Sequence, residues 1–360
     1  MKLLHDPPVM APPSRHPRRF DIFLILPLAL LASYICYNLL ALRSTTCLHS
    51  NPNCHRGFRS VYSFDADASH RPDWMRSIPD ETNLTSLSIP GTHDTMTYEI
   101  ENQRLECQNW NLTTQMRAGM RYFDIRARLN NDELRIYHTS GDTGFSYEDV
   151  LLRMCNFLEE NPSETIVMRL KEEGVPLGRN TITFEDAFNS YRDSRTSTKT
   201  CVSNHLYLHN NTASGEKAPT IPTLGALRSK IFLLQNFKTP SGKSYGLTWS
   251  GPQMQLEDFW IIPDASFLEQ KWDAIHKAIK LANETPLDNE LLFLAHISAS
   301  VGVLPIEAAA GTADGEVTGM NDMTGQWLED HVEDAVRAGI LIFDFPGKRA
   351  IDAVLDWNEK

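Results

Sequence analysis

The chain has 360 residues, 41% hydrophobic and 22% charged, which is enough apolar material for a sizeable core and excludes global disorder. With 46 acidic against 34 basic residues the formal net charge is -12, which excludes a nucleic-acid-binding protein because neutralising phosphates requires a basic face. The same charge gives the chain no general attraction to an anionic membrane surface.

The N-terminal part predicts a membrane anchor. Residues 1–19 are rich in proline and basic residues and indicate a disordered cytosolic tail. Residues 20–42 are predicted to form a transmembrane signal anchor, because no charge occurs from Ile22 to Leu42, about the length of a bilayer-crossing helix. A cleaved signal peptide is the alternative, but the apolar run is longer than usual and no clear cleavage site follows. Because more basic residues precede the span than follow it, we expect the remaining chain to be lumenal or extracellular.

Sequons and cysteines beyond the span agree with that topology. Residues 43–80 indicate a polar linker before a body at 81–360. Glycosylation sequons, which predict a glycoprotein, begin at Asn83, Asn111, Asn210 and Asn283. The cysteines expected in the oxidising compartment are Cys47, Cys54, Cys107, Cys155 and Cys201. Cys47 and Cys54 could close a small loop, but the spacing leaves the pairing open, and an odd number leaves one thiol free or intermolecular.

Short apolar runs alternate with helical patterns through the body. The predicted strands lie at 86–90, 121–129, 134–138, 165–171, 230–237, 291–298 and 339–345. The predicted helices lie at 146–161, 266–283 and 323–338. This alternation predicts an α/β fold with a largely parallel sheet, either a (β/α) barrel or a doubly wound sheet.

Ionisable residues at strand ends favour the barrel. They lie at or just past the carboxyl ends of predicted strands: His93, Arg126, His138, Lys171 and Asp344. In a barrel these ends share one mouth, where barrel enzymes carry their chemistry.

Two histidines and an arginine predict phosphodiester chemistry. His93 and Asp94 follow the turn in LSIPGTHDT, and His138 ends LRIYH. FDIRAR places Asp124 and Arg126 on one side of a strand, although a structural ion pair is the alternative for these two. Two imidazoles can exchange protons near neutral pH, and a guanidinium can stabilise charge on phosphoryl oxygens.

The motifs IPGTHDT, GMRYFDIRAR, IYH, NPSETIVMRLKEE and ILIFDF occur in an order that resembles the bacterial, calcium-independent phosphatidylinositol-specific phospholipases C. The resemblance covers about residues 80–350 and is more specific before residue 174 than after it. It implies a distorted, incompletely closed (β/α)8 TIM-type barrel. The implied reaction cleaves phosphatidylinositol, or a glycosylated form, to diacylglycerol and inositol 1,2-cyclic phosphate.

The resemblance implies roles for five residues. His93 is the expected general base for the inositol 2-hydroxyl, with Asp344 orienting it. His138 is the expected general acid for the diacylglycerol oxygen, with Asp94 as its partner, and Arg126 is expected to bind the phosphoryl oxygens. The attack is intramolecular, which gives the hydroxyl a high effective concentration.

The resemblance also implies a head-group site and no metal. Lys171, Asp258 and Trp260 are similar to residues that bind inositol, whereas Asn236, or Gln235, stands where the family has an arginine. The larger calcium-dependent relatives have an Asn at the place of Asp94, and here Arg126 lies where a cation would bind. We therefore expect no cofactor and no metal in the core site.

Two other functions remain open at this point. One is a catalytically silent lipid- or glycan-binding barrel, against which the presence of both histidines argues. The other is a metal-dependent glycerophosphodiester or sphingomyelin phosphodiesterase, which needs a carboxylate cluster near the first histidine. The expected partners are an inositol phospholipid and a membrane, and the oligomeric state is open.

Overall fold

The structure is a computed structural model that describes residues 55, 57–209 and 220–359. The predicted anchor at 20–42, the sequon at Asn210, and Cys47 and Cys54 lie outside these residues. Within the described part of the chain, no helix combines the length and apolar character needed to cross a bilayer.

The strands form one large curled sheet and a two-stranded ribbon. They are β1 (Ile89–Thr92), β2 (Tyr122–Asn130), β3 (Glu133–His138), β4 (Gly141–Ser146), β5 (Thr165–Glu172), β6 (Leu206–Tyr207), β7 (Lys230–Asn236), β8 (Leu247–Thr248), β9 (Met254–Glu257), β10 (Ile261–Ile262), β11 (Leu292–Ile297), β12 (Ser300–Val301) and β13 (Ile340–Phe343). The main path of the sheet is β6-β7-β5-β2-β1-β13-β11-β9, and all its pairings are parallel. Among the described strands, no pairing joins β9 to β7 or β8. The sheet is therefore a distorted barrel that does not close, as the resemblance implied.

The helices pack on this sheet. They are α1 (Leu112–Ala118), α2 (Tyr147–Glu160), α3 (Phe184–Asn189), α4 (Lys199–His205), α5 (Leu224–Leu227), α6 (Leu268–Glu284), α7 (Pro305–Ala310), α8 (Met320–Asp330) and α9 (Lys348–Leu355). α2 begins at a capping box in which Ser146 and Asp149 satisfy each other's backbone N–H groups. Its buried residues recur at helical spacing, as the sequence predicted.

One strand runs against the expected direction. β3 pairs antiparallel with β2, so that Ala127 lies opposite Ile136 and Asn130 opposite Glu133. β2 thus continues beyond the parallel sheet into a hairpin, and β3 returns along it. His138 reaches the mouth because the hairpin folds back, which corrects the expectation that it ends a parallel barrel strand.

Residues expected to form a linker contribute to the core. Tyr62 and Met75 are almost completely buried, and Ser63 forms a bridge with Pro346 beside β13. The packed unit therefore includes residues before position 81. A disulfide joins Cys155 in α2 to Cys201 in α4, with Cα atoms 5.8 Å apart, while Cys107 is buried as a free thiol.

Inward-facing residues change from apolar to polar along the strands. Alternate side chains share one face of a strand, and the inner ones near the amino ends form a hydrophobic cluster that includes Tyr122, Val167, Leu294 and Ile342. Two residues further along each strand, the inward positions are Asp124, Arg169, His296 and Asp344. This change places polar groups above an apolar floor.

Candidate active site

His93 lies immediately after β1, where the strand approaches its neighbour closely. A Cβ atom on Gly91 would lie 2.5 Å from Cβ of Tyr122, so only glycine fits between β1 and β2. The backbone N–H of His93 donates to the carbonyl oxygen of Phe343 at 2.9 Å. The side chain of Gln108 donates to the carbonyl oxygens of both His93 and Phe343, at 2.7 and 2.9 Å. These bonds fix the backbone that carries His93.

Hydrogen bonds define the tautomer of His93. Nη2 of Arg126 lies 2.7 Å from Nε2 of His93, and a guanidinium has only donors, so Nε2 accepts. The proton of the neutral ring is therefore on Nδ1, which donates to Oδ1 of Asp344 at 2.8 Å. Burial and the Arg126 guanidinium hold the pKa of His93 well below its usual range. The ring is neutral at pH 7, with a lone pair at Nε2 facing the cleft.

Arg126 is held by two carboxylates. Its Nε lies 2.9 Å from Oδ1 of Asp94, and its Nη2 lies 2.8 Å from Oδ2 of Asp124. Burial alone would raise the pKa of Asp124, but Arg126 and Arg169 outweigh it and hold this pKa well below its usual range. The guanidinium is thus fixed beside His93, where it can meet a bound anion.

His138 faces His93 across the same cleft. The two ring centroids are 6.4 Å apart, with an angle of 79° between the rings. Nδ1 of His138 donates to the carbonyl oxygen of Leu105 at 2.8 Å, and Nε2 lies 3.3 Å from Oδ2 of Asp94. With hydrogen bonds of about 2.7–2.9 Å, both rings can reach oxygens of one phosphate.

The carboxyl groups of Asp344 and Asp94 are almost completely buried. Burial, and then the nearby Asp94, raise the pKa of Asp344 well above its usual range. Burial also raises the pKa of Asp94, against the opposing effect of Arg126 and His138. Asp344 faces Nδ1 of His93, whereas Oδ2 of Asp94 lies 3.1 Å from Nε2 of His93 and 3.3 Å from Nε2 of His138, so a proton arriving on either ring has a carboxyl group nearby.

The predicted head-group residues lie on two sides of the cleft. Lys171 is on β5, with Nζ 2.7 Å from Oε2 of Glu173, and Asp258 and Trp260 follow β9. All three line a cavity of about 850 Å³ that also contains His93 and His138. Asn236, on β7, turns its amide oxygen to Arg169 and is not among the lining residues described for this cavity.

Two further buried residues of this region, Arg169 and His296, were not predicted from the sequence. Arg169 lines the cavity, and its guanidinium lies 3.8 Å from the centre of the Trp249 ring. His296 packs edge-on against His93, with ring centroids 5.9 Å apart, and burial lowers the pKa of His296 to about 4. Both lie two residues after an inward-facing apolar residue, and this alternation was the signal that could have identified them.

A metal ion would meet the guanidinium at this site. Potential ligand atoms of His93, Asp94 and Cys107 lie within 4.8 Å of one another. However, Arg126 already contacts His93 and Asp94, and burial raises the pKa of the Cys107 thiol well above its usual range. These groups suit the guanidinium of Arg126 better than they suit a divalent metal ion.

Residues 84–236 match the family model described as phosphatidylinositol-specific phospholipase C, X domain. A 1-phosphatidylinositol phosphodiesterase of Listeria monocytogenes is 33% identical over 299 residues, which cover 79% of this chain and 84% of the relative. A protein of the same name from Staphylococcus aureus is 29% identical over 202 residues, covering 54% of this chain and 61% of the relative.

Solved structures agree with these sequence similarities. The phosphatidylinositol-specific phospholipase C from Listeria monocytogenes superposes with a TM-score of 0.65 at 31% identity, covering 80% of this chain and 99% of that one. The F249X mutant of the Staphylococcus aureus enzyme gives a TM-score of 0.62 at 19% identity, covering 81% and 99%. The second likeness concerns the fold alone.

Proposed function

Because the chain belongs to the bacterial-type phosphatidylinositol-specific phospholipase C family, we propose that it is an enzyme that cleaves phosphatidylinositol to diacylglycerol and inositol 1,2-cyclic phosphate. The observation that carries this proposal is the pair of imidazoles facing each other across one cleft, with Arg126 beside them. Each part of an intramolecular phosphoryl transfer then has a group of matching chemistry.

The first step uses the lone pair on Nε2 of His93. In the structure this atom accepts a hydrogen bond from Arg126. A phosphodiester entering the cleft would draw the guanidinium to its own oxygens and free Nε2 for the inositol 2-hydroxyl. His93 takes the hydroxyl proton as the oxygen attacks phosphorus, and Asp344 stabilises the resulting imidazolium through the Nδ1 hydrogen bond.

The second half of the transfer uses His138. The bond from phosphorus to the diacylglycerol oxygen breaks, and that oxygen takes the proton from Nε2 of His138. Asp94 lies 3.3 Å from that nitrogen and is the carboxyl group placed to pair with it. Arg126 stabilises the negative charge that builds on the non-bridging oxygens. The products of this transfer are the cyclic phosphate and diacylglycerol, and no water is consumed.

The experiment is product analysis without divalent metal. Full-length protein in detergent micelles with phosphatidylinositol and a chelator should yield a cyclic inositol phosphate by phosphorus NMR. His93→Ala and His138→Ala should each lower kcat by about 10²–10⁴-fold, while His70→Ala at an exposed site serves as the matched control. Turnover that needs added metal, or that survives loss of His93, would overturn the proposal.

The head group is proposed to bind between the two sides of the cleft. Lys171 supplies a cation, Asp258 accepts hydroxyl hydrogen bonds, and the half-exposed Trp260 ring offers an apolar face to the inositol ring. These three side chains suit a neutral polyol that is joined to one phosphodiester. Phosphatidylinositol and glycosylated phosphatidylinositol both contain such a head group.

The proposed topology places this chemistry in a lumen or outside the cell. The uncharged segment at 20–42, the basic residues before it and the sequons support a single-pass glycoprotein anchored by its N-terminus. The disulfide between Cys155 and Cys201 is the kind of bond that persists in an oxidising compartment. In that place the available substrates are lumenal or outer-leaflet inositol lipids, including glycosylated anchors.

A further inference from the structure

Arg169 lies on the inner wall of the cleft with nearly all of its side chain buried. Its Nη1 is 3.3 Å from Oδ1 of Asp124, and one face of the guanidinium stacks on Trp249 at 3.8 Å. The side-chain oxygen of Asn236 accepts from its Nε at 3.2 Å and its Nη2 at 2.7 Å. Three different elements therefore fix a guanidinium that the reaction steps above do not use.

The strand register explains why this cation lies where it does. Asp124 on β2 is directly beside Arg169 on β5, and Arg126 is beside Lys171. Lys171 is in turn beside Asn236 on β7. Because inward-facing residues recur every second position, these side chains form two adjacent rows on the cleft wall.

Asp124 is shared between two arginines. Its Oδ2 accepts from Nε and Nη2 of Arg126, at 3.0 and 2.8 Å, while its Oδ1 faces Arg169. Asp94 and His93 also contact Arg126, so they compete with Asp124 for its guanidinium. The position of Arg126 thus depends on how firmly Asp124 is held from its other side.

We propose, on the basis of the function proposed above, that Arg169 is a positioning residue for the phosphoryl-binding arginine. Held by Asn236 and Trp249, Arg169 fixes Asp124, and Asp124 fixes Arg126 at the place where the phosphate must lie. Asn236 accordingly acts through Arg169 and makes no direct bond to inositol. Contact with Arg169 thereby gives a role to Asn236, which stands where the family has an arginine.

The test compares kcat and KM for variants of Arg169 in the full-length protein. Arg169→Met should lower kcat by about 10–100-fold and leave KM within about twofold, because a misplaced Arg126 chiefly weakens stabilisation of the transition state. Arg169→Lys, which keeps the charge near Asp124, should recover part of the loss. Asn236→Ala should lower kcat less, and the double variant Arg169→Met with Asn236→Ala should be no slower than Arg169→Met alone.

Arg195→Met is the matched control. Arg195 also stacks on an aromatic ring, Tyr191 at 4.1 Å, and pairs with Glu148 at 3.3 Å, but it lies outside the cleft residues. It should lose stability without a change in kcat or KM. A KM increase of tenfold or more in Arg169→Met, or additive losses for the two cleft variants, would overturn the positioning role. The wild-type rate in the same assay tests the proposed function separately.

Discussion

At the scale of single residues, the chemistry depends on which nitrogen of His93 carries the proton. The two ring nitrogens have different partners. The guanidinium of Arg126, which can only donate, contacts Nε2, and the carboxyl group of Asp344 accepts from Nδ1. A ring held between such partners is oriented before substrate arrives. The base is therefore available without a search among rotamers.

Replacing Asp344 by asparagine tests this orientation. Asp344→Asn keeps the shape of the side chain but removes the charge that stabilises an imidazolium at His93. We expect kcat to fall by about 10²-fold or more, with KM little changed, in steady-state assays. Asp352→Asn, an ion-paired carboxylate on α9, is the control and should keep wild-type kinetics. A variant of Asp344 with normal kcat would contradict the role.

The pH profile tests the environment of His93. Because burial and Arg126 lower its pKa, the acidic limb of kcat/KM should lie below the ordinary histidine value of about 6.5. Arg126→Gln removes a cation that disfavours the imidazolium, so the His93 pKa rises and the acidic limb moves to higher pH. The shift is partial because the burial remains. The profile of the residual activity measures it, and an unmoved limb would contradict the assignment.

At the scale of elements, the sequence predicted the longest strands but missed the six-residue β4, the four-residue β9 and every two-residue strand. The runs at 121–129, 134–138, 165–171 and 230–237 correspond closely to β2, β3, β5 and β7, because continuous apolar or alternating patterns specify them. β6, β8, β10 and β12 have two residues each, too few to show any period. The helix expected at 323–338 is observed at Met320–Asp330, followed by a separate 3₁₀ turn.

Some site residues could be predicted from the sequence and others could not. His93 and Asp344 were predictable because they follow parallel strands that end at a common mouth, whereas His138, predicted on the same ground, reaches that mouth through the antiparallel hairpin of β2 and β3. Arg169 and His296 lie inside strands that read as apolar, and their partners come from other strands. Only the register between strands brings Arg169 beside Asp124, and no local pattern contains that register.

Gly91 sets the spacing of the strand that carries His93. In Gly91→Ala the new methyl group would meet Cβ and the carbonyl oxygen of Tyr122, at 2.5 and 2.8 Å, so β1 and β2 must separate. We expect the free energy of unfolding to fall by about 1–3 kcal/mol and kcat to fall as well, because His93 follows two residues later. Urea denaturation and kinetics measure both. An unchanged free energy of unfolding and an unchanged kcat would contradict the prediction, because β1 and β2 could then separate without loss of stability.

The disulfide between α2 and α4 constrains a long segment. It joins residues 46 positions apart, for which chain entropy alone predicts a stabilisation of about 4 kcal/mol. The double variant Cys155→Ala with Cys201→Ala should lose about 2–4 kcal/mol of unfolding free energy in urea. Wild-type protein unfolded in the presence of reductant is the control, and its free energy of unfolding should match that of the double variant. Equal stability of the oxidised wild type and the variant would contradict this prediction.

At the scale of the whole molecule, the proposed topology predicts protection of the folded body. In sealed microsomes, protease should remove only the N-terminal tail and leave the body intact until detergent opens the membrane. Glycosidase treatment should lower the apparent mass, and Asn111 is the exposed sequon in the described part of the chain. Asn111→Gln should remove one glycan. A body digested without detergent would contradict the proposed lumenal side.

The incomplete closure of the barrel has a consequence for association between copies. A closed barrel offers no free strand edge, whereas the main path of this sheet ends at β9 on one side and at β6 and β8 on the other. Those terminal strands contain four, two and two residues, so each presents few backbone donors and acceptors to a foreign strand. On the main path of the sheet, copies of the protein therefore offer one another only short edges, and the longest edge without a described partner is that of the six-residue β4 in the hairpin.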